Sequence, residues 1–120
     1  MKRLEEVLGE LGTVKRTEIL AWIESEWVRA ETDAAGHHFR PVDVARLHLI
    51  RELRQDLEIG PEAMPVVLSL VDEMYTLRRR LAALARAVAE APDDVRVQVR
   101  TKCRTILQTI DPDEYEAARR

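Results

Sequence analysis

The sequence contains few of the residues on which several protein classes depend. Its single cysteine, Cys103, cannot form an internal disulfide, which is typical of a reducing compartment. Its four glycines are scattered, which excludes a glycine-rich phosphate-binding loop. No window approaches the roughly 18 uninterrupted apolar residues of a membrane span. Lys2 and Arg3 precede Leu4 and two glutamates instead of the apolar run of a signal peptide. We therefore expect a cytoplasmic protein with no membrane contact.

Excess positive charge is also absent. The 120 residues carry 19 basic and 22 acidic side chains, a formal net charge of −3. A free-standing DNA-binding domain usually has a basic excess, because its affinity comes largely from neutralising phosphates. The charge balance therefore disfavours nucleic acid as the main partner.

Strong helix formers dominate the composition, and aromatic residues make up only 4%. Alternating β-branched runs are nearly absent, so we predict an all-α, mainly helical chain. We expect three segments: a core over residues 1–60, a long helix over 61–90, and a helical extension over 91–120.

The first residues show a helix-turn-helix pattern. Leu4, Val7, Leu8 and Leu11 repeat at helical spacing, Gly12 ends that helix, and Thr13 is positioned to cap the next one. The second helix is predicted from Lys15 to Glu26. Its buried stripe is predicted to consist of Ile19, Leu20, Ile23 and Trp27, with Trp22 at the edge of the stripe.

A wing and a central helix follow. Residues 30–38 contain turn formers, and we expect Trp27-Val28 to pair briefly with His38-Phe39. Pro41 suits the first turn of a third helix, which should end near Gly60. The predicted apolar stripe of this helix is Val42, Ala45, Leu49, Ile50, Leu53 and Leu57, widened by Val44 and Leu47.

The longest helix is predicted to start near Pro61, with Pro65 one turn inside it. From Val67 onward its apolar residues repeat with spacings of three and four, an a/d heptad pattern. The predicted dimer interface on this seam is Leu70, Met74, Leu77, Leu81, Leu84 and Val88. The alternative is packing within the chain against Val95, Val99, Cys103 and Ile106 of a fifth helix, in which Cys103 would be a small buried hydrophobe. Asp111-Pro112 is expected to stop this fifth helix, with a last turn up to Arg120.

This order of elements resembles the MerR-like winged helix-turn-helix proteins, and the stretch from Phe39 to Ile50 is similar to their wing and following helix. The segments Arg51-Glu52-Leu53-Arg54-Gln55-Asp56-Leu57 and Val66 to Asp72 resemble the chaperone-modulator family CbpM. The resemblance covers roughly residues 4–88 and leaves out the extension from Pro92 to Arg120.

The resemblance implies a protein that binds the J-domain of a DnaJ-like co-chaperone such as CbpA. A J-domain presents a basic helix and a His-Pro-Asp loop to the DnaK-type chaperone, so covering that surface would inhibit the co-chaperone. The resemblance also favours an antiparallel homodimer. Candidate J-domain contacts are the acidic Glu52, Asp56, Glu58, Asp72 and Glu73 and the possible anchors Trp22, Arg54, Tyr75 and Met74.

The alternative is a MerR-like transcription regulator that places its second helix in the major groove of DNA. Lys15, Arg16 and Arg40 are the candidate DNA contacts. The negative charge of Glu18, Glu24 and Glu26 opposes this alternative, and Arg16 is expected to lie toward the buried side.

No pattern indicates catalysis, a cofactor or a metal site. The acidic residues have no catalytic spacing with a His, Ser or Cys. His37 and His38 lack a nearby third ligand and are expected on a solvated wing. Arg78, Arg79 and Arg80 point about 100° apart on a helix, so they form no single nucleic-acid patch.

Overall fold

The computed structural model describes residues 1–110 and divides the chain into two compact units, Met1–Asp72 and Glu73–Arg120. The predicted stop at Asp111-Pro112 and the last turn up to Arg120 lie outside the described residues. The predicted fold class is confirmed: the chain is mainly helical, with a helix-turn-helix, a small wing and a long C-terminal helix followed by an extra one.

The first unit begins with a short strand and a helix. Strand β1 is Lys2–Arg3 and helix α1 is Leu4–Leu11. Gly12 ends α1 as predicted: it has a φ of 70°, and its N–H donates to the Leu8 carbonyl at 3.0 Å. Helix α2, Arg16–Glu24, follows after four residues.

The cap of α2 differs from the prediction. Lys15 is the residue that precedes the first helical turn, and its N–H donates to the Glu18 carboxylate at 3.1 Å. The Thr13 hydroxyl instead donates to the Gln55 side chain at 2.7 Å. The two-residue connection after Thr13 moves the helix start beyond its reach, so Thr13 ties the turn to a later segment of the chain.

A three-stranded antiparallel sheet forms the wing. Strand β2 is Glu31–Asp33, strand β3 is Gly36–Phe39, and the order is β1-β3-β2. Glu31 pairs with His38, whereas the predicted partners Trp27 and Val28 lie outside the sheet and are buried. Phe39 pairs with Lys2, so the chain start forms the other edge of the sheet.

Lys2 also anchors this edge electrostatically. Its ammonium group donates to both carboxylate oxygens of Glu10, at 2.9 and 3.0 Å. The pKa of Glu10 lies below its ordinary value of 4.5, chiefly because of this hydrogen bond and also because His48 lies nearby.

Helix α3, Pro41–Arg51, starts at the predicted proline and continues into a π-helical turn, Glu52–Asp56. The residues that form its buried face are not all those of the predicted apolar stripe. The predicted Val42 and Leu57 are exposed, while Val44, Leu47, Ile50 and Leu53 are buried. The π-helical turn adds a residue to the repeat, so the face rotates before Leu57 is reached.

Helix α4, Met64–Ala89, starts three residues later than predicted. Pro65 is therefore its second residue, where a missing backbone donor costs nothing. Helix α5 is Asp93–Thr109. No helix within residues 1–110 is both long and apolar enough to cross a membrane.

All fifteen buried apolar residues of the described chain belong to the first unit. They come from α1, α2, the connections before and after α2, the wing, α3 with its π-helical turn, and the start of α4. The cluster is Leu4, Val7, Leu11, Val14, Ile19, Trp22, Trp27, Val28, Phe39, Val44, Leu47, Ile50, Leu53, Met64 and Leu68. In the second unit, no residue from 73 to 110 is buried.

Candidate partner-binding surfaces

Arg16, a candidate DNA contact on α2, forms an ion pair within the chain. Arg16 Nη1 lies 3.0 Å from Glu5 Oε1 of α1. The pKa of Glu5 is below its ordinary 4.5, because a backbone N–H donates to its carboxylate and because Arg16 adds a second hydrogen bond. Arg16 is exposed, which corrects the expectation that it faces the core, and Lys15 is exposed beside it.

Arg40 is the second candidate DNA contact, and it too has a carboxylate partner. Its Nε lies 2.8 Å from Oδ2 of Asp43, the one buried charged residue among residues 1–110. The hydrogen bond to Asp43 raises the pKa of Arg40. A phosphate would therefore have to compete with a buried carboxylate for this guanidinium.

The wing holds its histidines in local hydrogen bonds. His38 Nε2 lies 3.1 Å from Asp33 Oδ1, and His37 Nδ1 lies 3.1 Å from the Thr32 hydroxyl. The pKa of Asp33 is lowered, first by the N–H of Ala35 and then by His38. These contacts fix the shape of the hairpin.

The first unit is strongly acidic as a whole. Residues 1–72 carry nine basic and fourteen acidic side chains, a net charge of −5 with histidine neutral. A surface of this sign repels phosphate and attracts basic protein surfaces. The net charge of this unit therefore provides no overall electrostatic attraction for nucleic acid.

Three of the predicted acidic contacts lie together in sequence at the end of α3. We call residues 52–58 the acidic turn. Glu52, Asp56 and Glu58 are all exposed there. The Leu57 N–H closes the π-helical turn on the Glu52 carbonyl at 3.0 Å, and Glu58 follows with a φ of 52°. The left-handed conformation at Glu58 ends the helix abruptly and presents its side chain to solvent.

The acidic turn has an apolar centre that the sequence analysis assigned to the core. Leu57 is 65% exposed and lies between Asp56 and Glu58 in sequence. The prediction treated residues 42–57 as one regular α-helix, whereas the π-helical turn changes the direction of the later side chains and the helix ends before Leu57. An exposed leucine between two exposed acidic residues in sequence offers both an apolar side chain and negative charge to a partner.

Three other predicted contacts have structural roles within the first unit. Trp22 is only 5% exposed, so it belongs to the core and is not an accessible anchor. Arg54 is half-buried, and its Nη1 donates to the Ile59 carbonyl at 2.7 Å. Asp72 accepts two hydrogen bonds from Arg46, at 2.5 and 3.2 Å, so its charge is largely compensated.

The second unit begins with two predicted contacts that are accessible, since Glu73 and Tyr75 are both exposed. The heptad residues of α4 are also uncovered. Leu70, Met74, Leu77, Leu81 and Leu84 are exposed, and Val88 is half-buried. The proposed dimer seam is therefore free in the single chain.

The predicted packing of α5 onto that seam within one chain is wrong. Val95, Val99, Cys103 and Ile106 are all exposed, so they do not cover α4. Cys103 is thus an accessible thiol and not a buried hydrophobe. Val99, Cys103 and Ile106 line a shallow apolar groove with Lys102 and Leu107.

Within the part of the chain that the structure describes, no three His, Cys, Asp or Glu side chains lie close enough together to hold a metal ion. Several charged side chains pair with one another, as Arg40 does with Asp43.

The sequence profile of MerR HTH family regulatory proteins matches residues 5–86. The chain belongs to this family. No curated protein and no solved structure matches it. The matched region runs from α1 into α4 and ends before α5, so it includes the acidic turn and leaves α5 outside.

Membership in the MerR family assigns the chain to a class of helix-turn-helix regulatory proteins. In this member, α2 keeps the position of the second helix of the motif, but Arg16 and Arg40 are paired with carboxylates. The acidic turn and the apolar faces of α4 and α5 are among the accessible surfaces of the described chain.

Proposed function

We propose that this MerR-family protein is a chaperone modulator, which binds the J-domain of a DnaJ-like co-chaperone and inhibits its action on the DnaK-type chaperone. The observation that carries the proposal is the acidic turn, in which exposed Leu57 is surrounded in sequence by Glu52, Asp56 and Glu58. The stretch from Arg51 to Leu57 is also the one that resembles the CbpM family.

Charge supports a basic partner. The net charge of −5 over residues 1–72 would speed the encounter with the basic helix of a J-domain and orient it. Exposed ion pairs contribute little affinity, so the complex also needs an apolar anchor. Leu57 is such an anchor, because it is already at the surface and no core contact is lost when a partner covers it.

Inhibition would follow from masking. The J-domain surface that complements a cluster of carboxylates is the same basic surface that it presents to the chaperone. When this surface is covered, the co-chaperone can no longer stimulate ATP hydrolysis. The proposal requires no catalytic group on this chain.

The first test is binding of the isolated cognate J-domain, measured by calorimetry with the wild type and Leu57→Ala. Truncating a central anchor should weaken binding by roughly 10- to 30-fold. Asp56→Lys should slow association and reduce its dependence on salt. Glu24→Lys is the matched control, because Glu24 is an exposed carboxylate of the same unit, on α2, and its reversal changes the net charge equally. It should therefore weaken binding less than Asp56→Lys, and the difference reports the local contact.

A second measurement follows ATP hydrolysis by the chaperone and its full-length co-chaperone. The wild type should suppress the stimulated rate, and Leu57→Ala should not at the same concentration. Absence of J-domain binding at tens of micromolar would refute the proposal. Salt-sensitive, sequence-selective binding to duplex DNA that is lost on mutation of Arg16 or Arg40 would support the regulator alternative instead.

A further inference from the structure

Helix α5 lies beyond the region matched by the family, and it carries an uncovered apolar stripe. The α5 stripe consists of Val95, Val99, Cys103 and Ile106. At about 100° per residue, these four side chains fall within a sector about 80° wide. A stripe this narrow is typical of the seam between two paired helices, whereas a helix that packs onto a domain core has a broader apolar face. No residue of α5 is buried, so the stripe is available to a partner.

A shallow groove on the α5 stripe has the residue spacing that receives a side chain from a second helix. The groove is lined by Val99, Lys102, Cys103, Ile106 and Leu107. The first four of these stand at positions i, i+3, i+4 and i+7 of one helix, so they surround a hole on its surface. In paired helices, each side chain of the seam inserts into a hole formed by four residues of the facing helix. The groove is therefore suited to a helical partner.

Positive charge borders the α5 stripe on both sides. Lys102 lies about 20° beyond one edge, Arg96 lies about 20° beyond the other, and Arg100 lies about 40° further out than Arg96. Arg96 Nη2 is 2.5 Å from Asp93 Oδ1, whereas Arg100 and Lys102 have no carboxylate partner within residues 1–110. Both carboxylates of α5 are in its first two residues, so the rest of the helix carries four cations and no anion. Negative charge at both borders of a partner helix would complement this arrangement.

We propose that α5 pairs with an amphipathic helix of a partner protein, one whose apolar seam is bordered by Asp or Glu residues. A second α5 is disfavoured as the occupant, because both borders of the stripe are positive and like charges would meet in a parallel as well as in an antiparallel pair. The proposal does not depend on J-domain binding. A J-domain offers a basic helix, which the cations of α5 repel and the acidic turn attracts.

An anionic lipid surface would also match an apolar stripe with positive borders, but it fits less well. Helices that lie on membranes usually carry Trp, Phe or Leu on their apolar face. The α5 stripe contains none of these three residue types. A bilayer also supplies no side chain to fill the hole between Val99 and Ile106.

Two synthetic helical peptides test the proposal on the 120-residue chain, with a reductant present. Both have the same seam of leucine and isoleucine, but one has Glu and the other has Lys at the bordering positions. By fluorescence anisotropy, the Glu peptide should bind with a dissociation constant of about 10–100 µM, and the Lys peptide should bind at least about 10-fold more weakly. Added salt should weaken binding of the Glu peptide, because it screens the opposite charges at the borders.

Val99→Glu should raise the dissociation constant of the Glu peptide by roughly 10- to 100-fold, because it places a charge in the seam. Thr101→Glu is the matched control, since it adds the same charge to the same helix about 160° from the centre of the stripe. It should raise the constant much less, and the difference between the two variants reports the local contact. Circular dichroism should show the same helix content in both variants.

Exchanging the border charges tests the specificity. The double variant Arg100→Glu with Lys102→Glu should reverse the preference, so that the Lys peptide binds more tightly than the Glu peptide. Arg78→Glu with Arg79→Glu is the control, because it changes the net charge equally at exposed positions of α4. This control variant should still prefer the Glu peptide.

Equal affinity for the two peptides, no binding of the Glu peptide at about 500 µM, or equal effects of Val99→Glu and Thr101→Glu would each overturn the proposal. Two other occupants of the stripe would also overturn it. A dimer in sedimentation equilibrium that is weakened by Val99→Glu and not by Thr101→Glu would assign the stripe to a second copy. Phosphatidylglycerol vesicles that bind the wild type more tightly than the Glu peptide does, and that release Val99→Glu, would assign it to a lipid surface.

Discussion

Arg46 connects three separate parts of the first unit. The free energy of unfolding that is lost when its side chain is replaced can be predicted from these contacts. Its Nε donates to the Trp27 carbonyl in the connection after α2, and its two Nη groups hold Asp72 of α4. The Arg46 side chain is 23% exposed and that of Asp72 is 57% exposed. The bond to the carbonyl is therefore better shielded from water than the ion pair is.

The solvent exposure of each contact determines how much that contact contributes to the free energy of unfolding. A hydrogen bond from a charged donor to a shielded carbonyl contributes about 1.5–3 kcal/mol, and its loss leaves the carbonyl unsatisfied. The more exposed ion pair contributes about 0.2–1 kcal/mol. We expect Arg46→Met to lower the free energy of unfolding by roughly 2–3 kcal/mol. Asp72→Asn removes only the ion pair and should lower it by less than about 1 kcal/mol.

Urea unfolding followed by tryptophan fluorescence measures this difference, because both tryptophans lie in the first unit. With a typical slope of about 1 kcal/mol per molar urea, Arg46→Met should shift the midpoint by roughly 2 M. The double variant should lose little more than Arg46→Met alone, since both changes break the same ion pair. Equal losses in the two single variants would refute the assignment of the larger share to the Trp27 carbonyl.

Two further predictions concern the glycines and the pH dependence of the first unit. Gly9→Ala in α1 should raise the free energy of unfolding by about 0.5–1 kcal/mol, because a helical glycine is replaced where a methyl group meets no atom within 4 Å. Gly12→Ala has equal space but a φ of 70°, so it should lower the free energy by about 1 kcal/mol; a stabilised Gly12 variant in the same urea titration would contradict this. The pKa of Glu10 is depressed in the folded state, so its contribution to stability is present above 4.5 and is lost as the pH falls through the lower folded value. Thermal unfolding from pH 6 to pH 3 should show a smaller loss of stability for Glu10→Gln than for the wild type, and parallel curves would contradict the prediction.

The helices were largely predictable because their patterns are local. The repeat of Leu4, Val7 and Leu11 has one helical phase, and Gly12 marks its end, so α1 could be read from sequence to within a residue. The heptads of α4 were equally clear. Pro41 fixed the start of α3 because its φ and its missing donor suit a first turn.

The buried face of α3 could not be predicted in the same way. Apolar residues occupy so many positions of α3 that the helical spacing does not single out one buried face. The π-helical turn then changes the number of residues per turn, so the α-helical spacing no longer applies. Leu57 was therefore placed in the core although it is exposed, and Trp22 was placed at the edge of the buried stripe of its helix, as a candidate anchor, although it is buried. Tertiary packing, which leaves no period in the sequence, decides both positions.

The roles of the candidate contact residues could be predicted only in part, because some of them depend on contacts between residues that are distant in sequence. Glu52, Asp56 and Glu58 were identified as accessible carboxylates, and they are exposed. The roles of Arg54 and Asp72 were not foreseeable, because Arg54 donates to its own backbone five residues away and Asp72 meets Arg46 across 26 residues of chain. Strand β1 has only two residues, too few for any alternation to be visible.

The exposed Cys103 has a chemical consequence for work with this protein. It is the only thiol in the sequence, and it lies on the apolar face of α5. Oxidation can therefore produce only one covalent product between two chains. Such a bond forms without strain only when the two Cβ atoms approach to roughly 3.5–4.5 Å, so solution measurements on this chain need a reductant to keep covalent pairs from being counted as reversible association.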